Sequence, residues 1–308
     1  MPGLILGCLA LAALSLLLPS TPTYDPWAWI IWGREVVELD LDTRTGPSWK
    51  PLAVMFTAPF AVFGDSAAPE LWLILARAGA LLALAMAFRL ARRLAGEPYG
   101  VLAGTAAAAI LLISNDWIRN AGLGNSEGLL VALLFWAALC HLDERREQVL
   151  YLGFAAALLR PEVWPFLGLY WLWLWAREPQ LRVRSTILMA LIPAFWLIPE
   201  LIGSGDAFRA STRAQTDIPV GSPALEDQPW RAILESADRL VSVGGELLAL
   251  GAVLIAALTR PRQSRVLWFA LATAAWVVLV IAMTEAGYSG NQRYLVPAGA
   301  AACVLAGV

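Results

Sequence analysis

Long runs without a formal charge recur along this chain, and they dictate its fold class. Residues 2–19, 99–114 and 266–284 contain no Asp, Glu, Lys or Arg. A helix that crosses about 30 Å of hydrocarbon needs about 20 mostly apolar residues. By that rule the chain predicts spans at 2–19, 70–88, 99–114, 127–141, 149–159, 163–175, 185–202, 241–258 and 266–284, with a last one from Leu295. The first lacks a basic leader and a small-residue cleavage point, so it reads as a retained span. The segments flanking Arg160-Pro161-Glu162 are short and read as a hairpin turning at or within one interface.

Composition agrees. Apolar and aromatic residues make up 59% of the 308 and charged residues only 15%, against about 25% charged in soluble domains. The excess apolar surface must face lipid. One His and three widely spaced Cys leave no zinc set, C-x-x-C pair or disulfide framework. A net charge of −2 without a basic stripe argues against nucleic acid. The expectation is an all-α polytopic membrane protein of about ten transmembrane helices, a single domain over residues 1–308.

Orientation follows the short basic loops. Arg89, Arg92 and Arg93, then Arg145 and Arg146, then Arg177, Arg182 and Arg184, then Arg260, Arg262 and Arg265 form four clusters on one side, expected to be cytoplasmic. The two long loops, 20–69 and 203–240, then lie outside. Many of the 15 Trp, among them Trp27, Trp29, Trp32, Trp72, Trp117, Trp171, Trp173 and Trp175, sit where an interfacial aromatic belt would place them.

The scarce polar residues of that outer side are the candidates for chemistry. Asp25-Pro26 opens an apolar stretch that reads as an interfacial helix, with Asp25 as its cap or as a carboxylate at head-group depth. Lys50, in Trp49-Lys50-Pro51, is the only lysine against 21 arginines, which suggests a compact ammonium facing a carboxylate or phosphate. Asn125 and Glu127 stand at the mouth of the fourth span, and Arg160 and Glu162 in the hairpin turn, where ionisable groups must pair or line a polar cavity. Arg77, inside the second span, reads as a packing residue. Arg209 and Arg213, four apart, would share a helix face and clamp a phosphate. Residues 229–240 read as a surface helix, and Arg293 marks the outer end of the last span. Asp40 and Asp42 share the first loop and leave room for a divalent metal that nothing else specifies.

The order of these features resembles the GT-C superfamily of integral membrane glycosyltransferases, such as protein O-mannosyltransferases and lipid A aminoarabinose transferases. It is also similar to actinobacterial membrane proteins described as mannosyltransferases. The matching residues are Asp25 after the first span, Lys50-Pro51 before an apolar stretch ending in Phe63-Gly64, and Arg77 in the second span. Asn125 and Glu127 open the fourth span, and Arg293-Tyr294-Leu295 with Pro297 opens the last. Departures are Pro26 where many relatives carry a second acid, Glu127 where Asp is common, and an end at Gly307-Val308 within an apolar stretch, which reads as a fragment or short form. The resemblance implies a GT-C-like bundle in a bacterial plasma membrane. Its activity would be transfer of a mannose- or pentose-like sugar from a polyprenyl-phosphate donor to a hydroxyl of a glycan, lipid or protein, on the extracytoplasmic face. Asp25 would be the base and Lys50, Arg209, Arg213 or Arg293 would meet the phosphate. The rivals are a transporter or lipid flippase, which would gather charge at the midplane and show repeated halves, and a non-catalytic membrane scaffold.

Overall fold

The structure is a computed structural model that describes residues 1–114, 116–259 and 263–308. Arg260 and Arg262 of the fourth basic cluster lie outside the described residues. Among the described residues the regular structure is helical throughout. The α-helices are α1 (Pro2–Leu14), α2 (Tyr24–Glu38), α3 (Pro51–Ala61), α4 (Ala67–Ala95), α5 (Gly100–Ile113), α6 (Trp117–Gly122), α7 (Glu127–Leu142), α8 (Arg146–Ala157), α9 (Trp164–Arg177), α10 (Arg182–Ser204), α11 (Arg209–Thr216), α12 (Pro229–Asp238), α13 (Val243–Leu258), α14 (Ser264–Glu285) and α15 (Val296–Gly307). Short 3-10 turns cover Pro161–Val163 and Gln292–Leu295.

Among the described residues three helical segments are long and apolar enough to cross a membrane: Ala67–Ala95, Pro179–Ser204 and Ser264–Glu285. The pair α12 and α13 meets the same test together but bends by 97°, so the surface helix and the span expected at 229–258 are two arms of one corner. The other expected spans are helices of 12 to 16 residues. The two flanking Arg160, of 12 and 14 residues, reach only about 18 and 21 Å at 1.5 Å per residue.

The described chain forms two compact units, residues 1–82 with 120–216 and residues 83–119 with 217–308. The first is organised by tryptophan. Trp29, Trp32, Trp49 and Trp72 are buried together, with Trp29 edge-on to Trp72 at 5.5 Å and Trp32 tilted against Trp49 at 5.7 Å. Each indole N–H finds a carbonyl on a different segment: Trp29 donates to Ser48, Trp32 to Asp42, Trp49 to Phe195 and Trp72 to Gly124. A buried indole needs that partner. Three of these bonds replace the water that irregular loop backbone would otherwise require, and the fourth serves the Phe195 carbonyl inside α10, four residues before Pro199, which has no N–H to give it. The aromatic-belt expectation is therefore corrected for Trp29, Trp32, Trp72 and Trp117, which are buried, whereas Trp27, Trp173 and Trp175 are exposed.

Small residues set the close approaches. A Cβ on Gly33 of α2 would fall 2.5 Å from Thr57 Oγ1 of α3, and Thr57 Oγ1 donates to the Trp29 carbonyl at 2.6 Å. Gly79 of α4 and Gly128 of α7 face each other's helices, where an added Cβ would meet Leu129 at 2.8 Å and Ala80 at 2.7 Å. In the second unit α15 packs on α5, α13 and α14. Gly307 lies so close to α5 that a Cβ there would be 2.5 Å from the Ala103 carbonyl, and Trp276 Nε1 donates to the Tyr294 carbonyl at 2.8 Å.

The α4–α7 contact fixes where Glu127 begins its helix. Gly128→Val should lower stability by about 1–3 kcal/mol, the usual cost of overpacking, read as an earlier melting transition in detergent. Gly168→Ala, where nothing lies within 4 Å, should leave melting unchanged or slightly raised; equal effects would contradict this packing.

Candidate functional site

Residues 123–127 turn the chain into α7, and almost every candidate group of the first unit hangs from this turn. Gly124 has φ +74°, a left-handed conformation that glycine adopts without strain. Its carbonyl receives the Trp72 indole at 2.9 Å. The next residues then point their side chains at three separate segments.

Asn125 takes the first. Thr23 Oγ1 donates to Asn125 Oδ1 at 3.0 Å, the Asn125 amide donates to Asn120 Oδ1 at 2.8 Å, and the Thr23 backbone N–H donates to the Leu123 carbonyl at 3.0 Å. Thr23 is the residue at which α2 begins, so the start of that helix is pinned to the turn. Asp25 lies two residues on, in the first turn of α2 and half-buried. The sequence suggested Asp25 as the helix cap or as a carboxylate at head-group depth; the helix instead starts two residues earlier than a cap at Asp25 would place it, with Thr23 in the cap position. That leaves Asp25 inside the first turn of α2.

Ser126 takes the second. Its Oγ accepts Lys50 Nζ at 3.0 Å, and the ammonium also lies 4.5 Å from the centre of the Trp29 ring, within cation–π range. Lys50 precedes Pro51, the first residue of α3, and the residue before proline is held extended; its φ and ψ are −129° and 102°. The Leu52 N–H donates to the Leu158 carbonyl at 3.1 Å, which brings the Arg160 turn alongside.

Glu127 takes the third. Arg160 Nη2 donates to Glu127 Oε1, and Arg160 Nη1 donates to Glu162 Oε1 at 3.4 Å. All three side chains are buried, and Glu162 Oε2 has no hydrogen-bond partner among the described residues. Arg160 is extended ahead of Pro161 in the same way as Lys50. Lys50, Arg160, Glu127 and Glu162 thus give two cations and two carboxylates tied through residues 126 and 127, a neutral set in an apolar surround. Such pairing is what membrane depth demands of ionised groups.

Arg209 and Arg213 do share α11, but Arg209 departs from the phosphate clamp expected of it. Its Nε and Nη2 grip Glu200 Oε2 and Oε1 at 2.7 and 2.9 Å, and further donors reach the Pro47 carbonyl at 3.0 Å and the Gly46 carbonyl at 3.4 Å. Arg213 is half-buried one turn further along. Arg77 donates to Ser15 Oγ at 2.8 Å, to Ser20 Oγ and to the Gly122 carbonyl, a structural clamp in keeping with a packing role. Arg293 belongs to the second unit, where its N–H donates to Asn291 Oδ1 at 3.0 Å.

Asp42 gives both oxygens to Arg44, at 2.6 to 3.0 Å. The Arg44 side chain, then its backbone N–H, hold the Asp42 carboxyl down to about 2. Asp40 is exposed, and no group of three or more His, Cys, Asp or Glu able to hold a metal ion is found among the described residues.

Sequence reading missed Glu200, Thr23 and Trp29. Glu200 carried a legible signal, a carboxylate near the end of an apolar run, the same rule that singled out Arg77. Nothing local marks Thr23 or Trp29, whose roles come from distant partners.

Removing Arg160 should expose how tightly this set is balanced. Arg160→Met leaves two buried carboxylates facing each other's segments and should cost about 3–5 kcal/mol, seen as loss of a cooperative melt in detergent. Adding Glu127→Gln and Glu162→Gln to it should restore most of the melting temperature. A neutral single substitution would contradict the pairing.

No family model and no curated protein matches the chain. Among solved structures the fold is similar to that of ArnT from Cupriavidus metallidurans bound to undecaprenyl phosphate, with a TM-score of 0.66 at 16% sequence identity. The match covers 99% of this chain and 58% of that one, so the chain spans little more than half the length of the structure it matches. The likeness is one of fold: an all-helical arrangement like that of ArnT, with helices long and apolar enough to cross a membrane.

Proposed function

We propose that the chain is a membrane glycosyltransferase that moves a sugar from a polyprenyl phosphate to an acceptor hydroxyl. The observation that carries this reading is the turn at 125–127, which ties the start of the Asp25 helix, Lys50 and Arg160 to one short segment. Its fold is also that of a protein whose structure holds undecaprenyl phosphate, a lipid with an apolar tail and a phosphate head.

In this reading about ten helices, some short or bent, lie in the bacterial plasma membrane, the arginine clusters face the cytoplasm, and the loops 20–69 and 203–240 face outward. Asp25 accepts the proton of the acceptor hydroxyl. The freed oxygen bonds to the anomeric carbon, and the bond from that carbon to the phosphate oxygen breaks with its electron pair staying on phosphate. The sugar inverts. Lys50, held by Ser126 and lying over Trp29, meets the phosphate as it gains charge, with Arg213 as a further cation. Asn125, Glu127, Arg160 and Glu162 frame the site: Asn125 holds Thr23 at the start of α2, and Arg160 binds both Glu127 and Glu162. Arg209 leaves the list of phosphate ligands because Glu200 holds it. Sugar class, mannose- or pentose-like, and an acceptor that is glycan, lipid or protein belong to the same proposal.

Purified in mild detergent, the protein should carry a polyprenyl-phosphate sugar detectable by mass spectrometry, and Lys50→Met should reduce its occupancy about tenfold. With that donor supplied, Asp25→Asn should cut transfer by roughly 10²–10⁴ at unchanged abundance and undiminished donor binding. Undiminished transfer by Asp25→Asn would remove Asp25 as the base.

A further inference from the structure

The loop that presents Lys50 has no regular structure of its own between Leu39 and Pro51, yet Trp49 and Lys50 are buried. Besides the Trp29 and Trp32 indoles of α2, which donate to Ser48 and Asp42, the end of α10 and the start of α11 hold it. The Thr43 N–H donates to the Gly203 carbonyl at 3.2 Å, Trp49 Nε1 to the Phe195 carbonyl at 3.0 Å, and the Trp49 N–H to Glu200 Oε1 at 3.4 Å. Arg209 closes the arrangement, with its fork on Glu200 and its outer donors on the carbonyls of Gly46 and Pro47. Glu200 is 1% exposed, in a helix that is otherwise apolar at this end, so its carboxylate has a desolvation cost that an ordinary surface pair does not carry.

We propose that the Glu200–Arg209 pair is a positioning latch, in which α11 of the second long loop clamps backbone 46–49 and thereby sets where the Lys50 ammonium stands. Neither residue touches the ligand. The proposal rests on the reading of Lys50 as a phosphate-binding group, and it deepens that reading by making phosphate binding depend on the docking of the second long loop. It also accounts for arginine at 209: a single guanidinium spans a carboxylate and two carbonyls with a planar fork, which an ammonium does not do.

A simple ion pair and a latch respond differently to substitution. Exchanging the charges, Glu200→Arg with Arg209→Glu, keeps an ion pair but removes every donor aimed at the Gly46 and Pro47 carbonyls. Arg209→Lys keeps the charge and loses the fork. Each variant, as the full chain in detergent, is titrated with undecaprenyl phosphate and followed by native mass spectrometry, and amide exchange is measured on the peptide covering residues 44–52. Arg209→Lys should bind about tenfold more weakly with faster exchange at Trp49 and Lys50, while its melting temperature stays near that of the wild type. The exchanged pair should not recover binding. Wild-type affinity and exchange in Arg209→Lys, or full recovery in the exchanged pair, would overturn the latch while leaving Lys50 as a phosphate group. Wild-type protein that does not bind undecaprenyl phosphate would overturn the reading of Lys50 and the latch with it.

Discussion

An ionised group in an apolar helical bundle must find its counter-charge and its hydrogen bonds inside the protein, and the first unit is arranged around that demand. Placing a charge at the centre of a membrane helix costs about 2.5–3.5 kcal/mol on insertion scales. Lys50, Arg160, Glu127 and Glu162 are all buried, and one turn of chain, residues 125–127, organises them. Gly124 permits that turn through its positive φ, and the α4–α7 contact at Gly79 and Gly128 holds α7 where Glu127 meets Arg160.

The same demand explains the tryptophans. A loop that returns into an apolar surround carries backbone carbonyls that need donors, and an indole offers one donor on a large apolar body. Four buried Trp side chains serve the carbonyls of Asp42, Ser48, Gly124 and Phe195. The segments that bear Lys50 and Asn125 are thereby built into the core. A polar arrangement carried on irregular loops thus acquires the rigidity of helix packing, which the proposed sugar transfer would require.

Much of this was legible from the chain itself. Helix positions followed from apolar run length, and the start of α7 at Glu127 and the short pair around Arg160 came out where expected. The principle that charge at membrane depth must be paired singled out Glu127, Arg160 and Glu162 before their partners were known, and Lys50 stood out as the only lysine. What was not legible is pairing over distance. Arg209 and Arg213 look alike in sequence, yet Glu200, nine residues back along the chain, takes the guanidinium of Arg209. Trp29 and Trp27 both look interfacial, yet only Trp29 is buried under Lys50. Helix periodicity shows which residues share a face; it does not show which loop folds back onto that face.

The proposed site places one phosphate lipid against Asp25, Lys50 and the 125–127 turn. Its most direct test is photo-crosslinking with an undecaprenyl phosphate analogue carrying a diazirine beside the phosphate, followed by peptide mapping. Labelled peptides are expected around residues 22–30, 46–56 and 120–130, competed away by unmodified undecaprenyl phosphate. Competed labelling confined to other segments, such as α14, would contradict it.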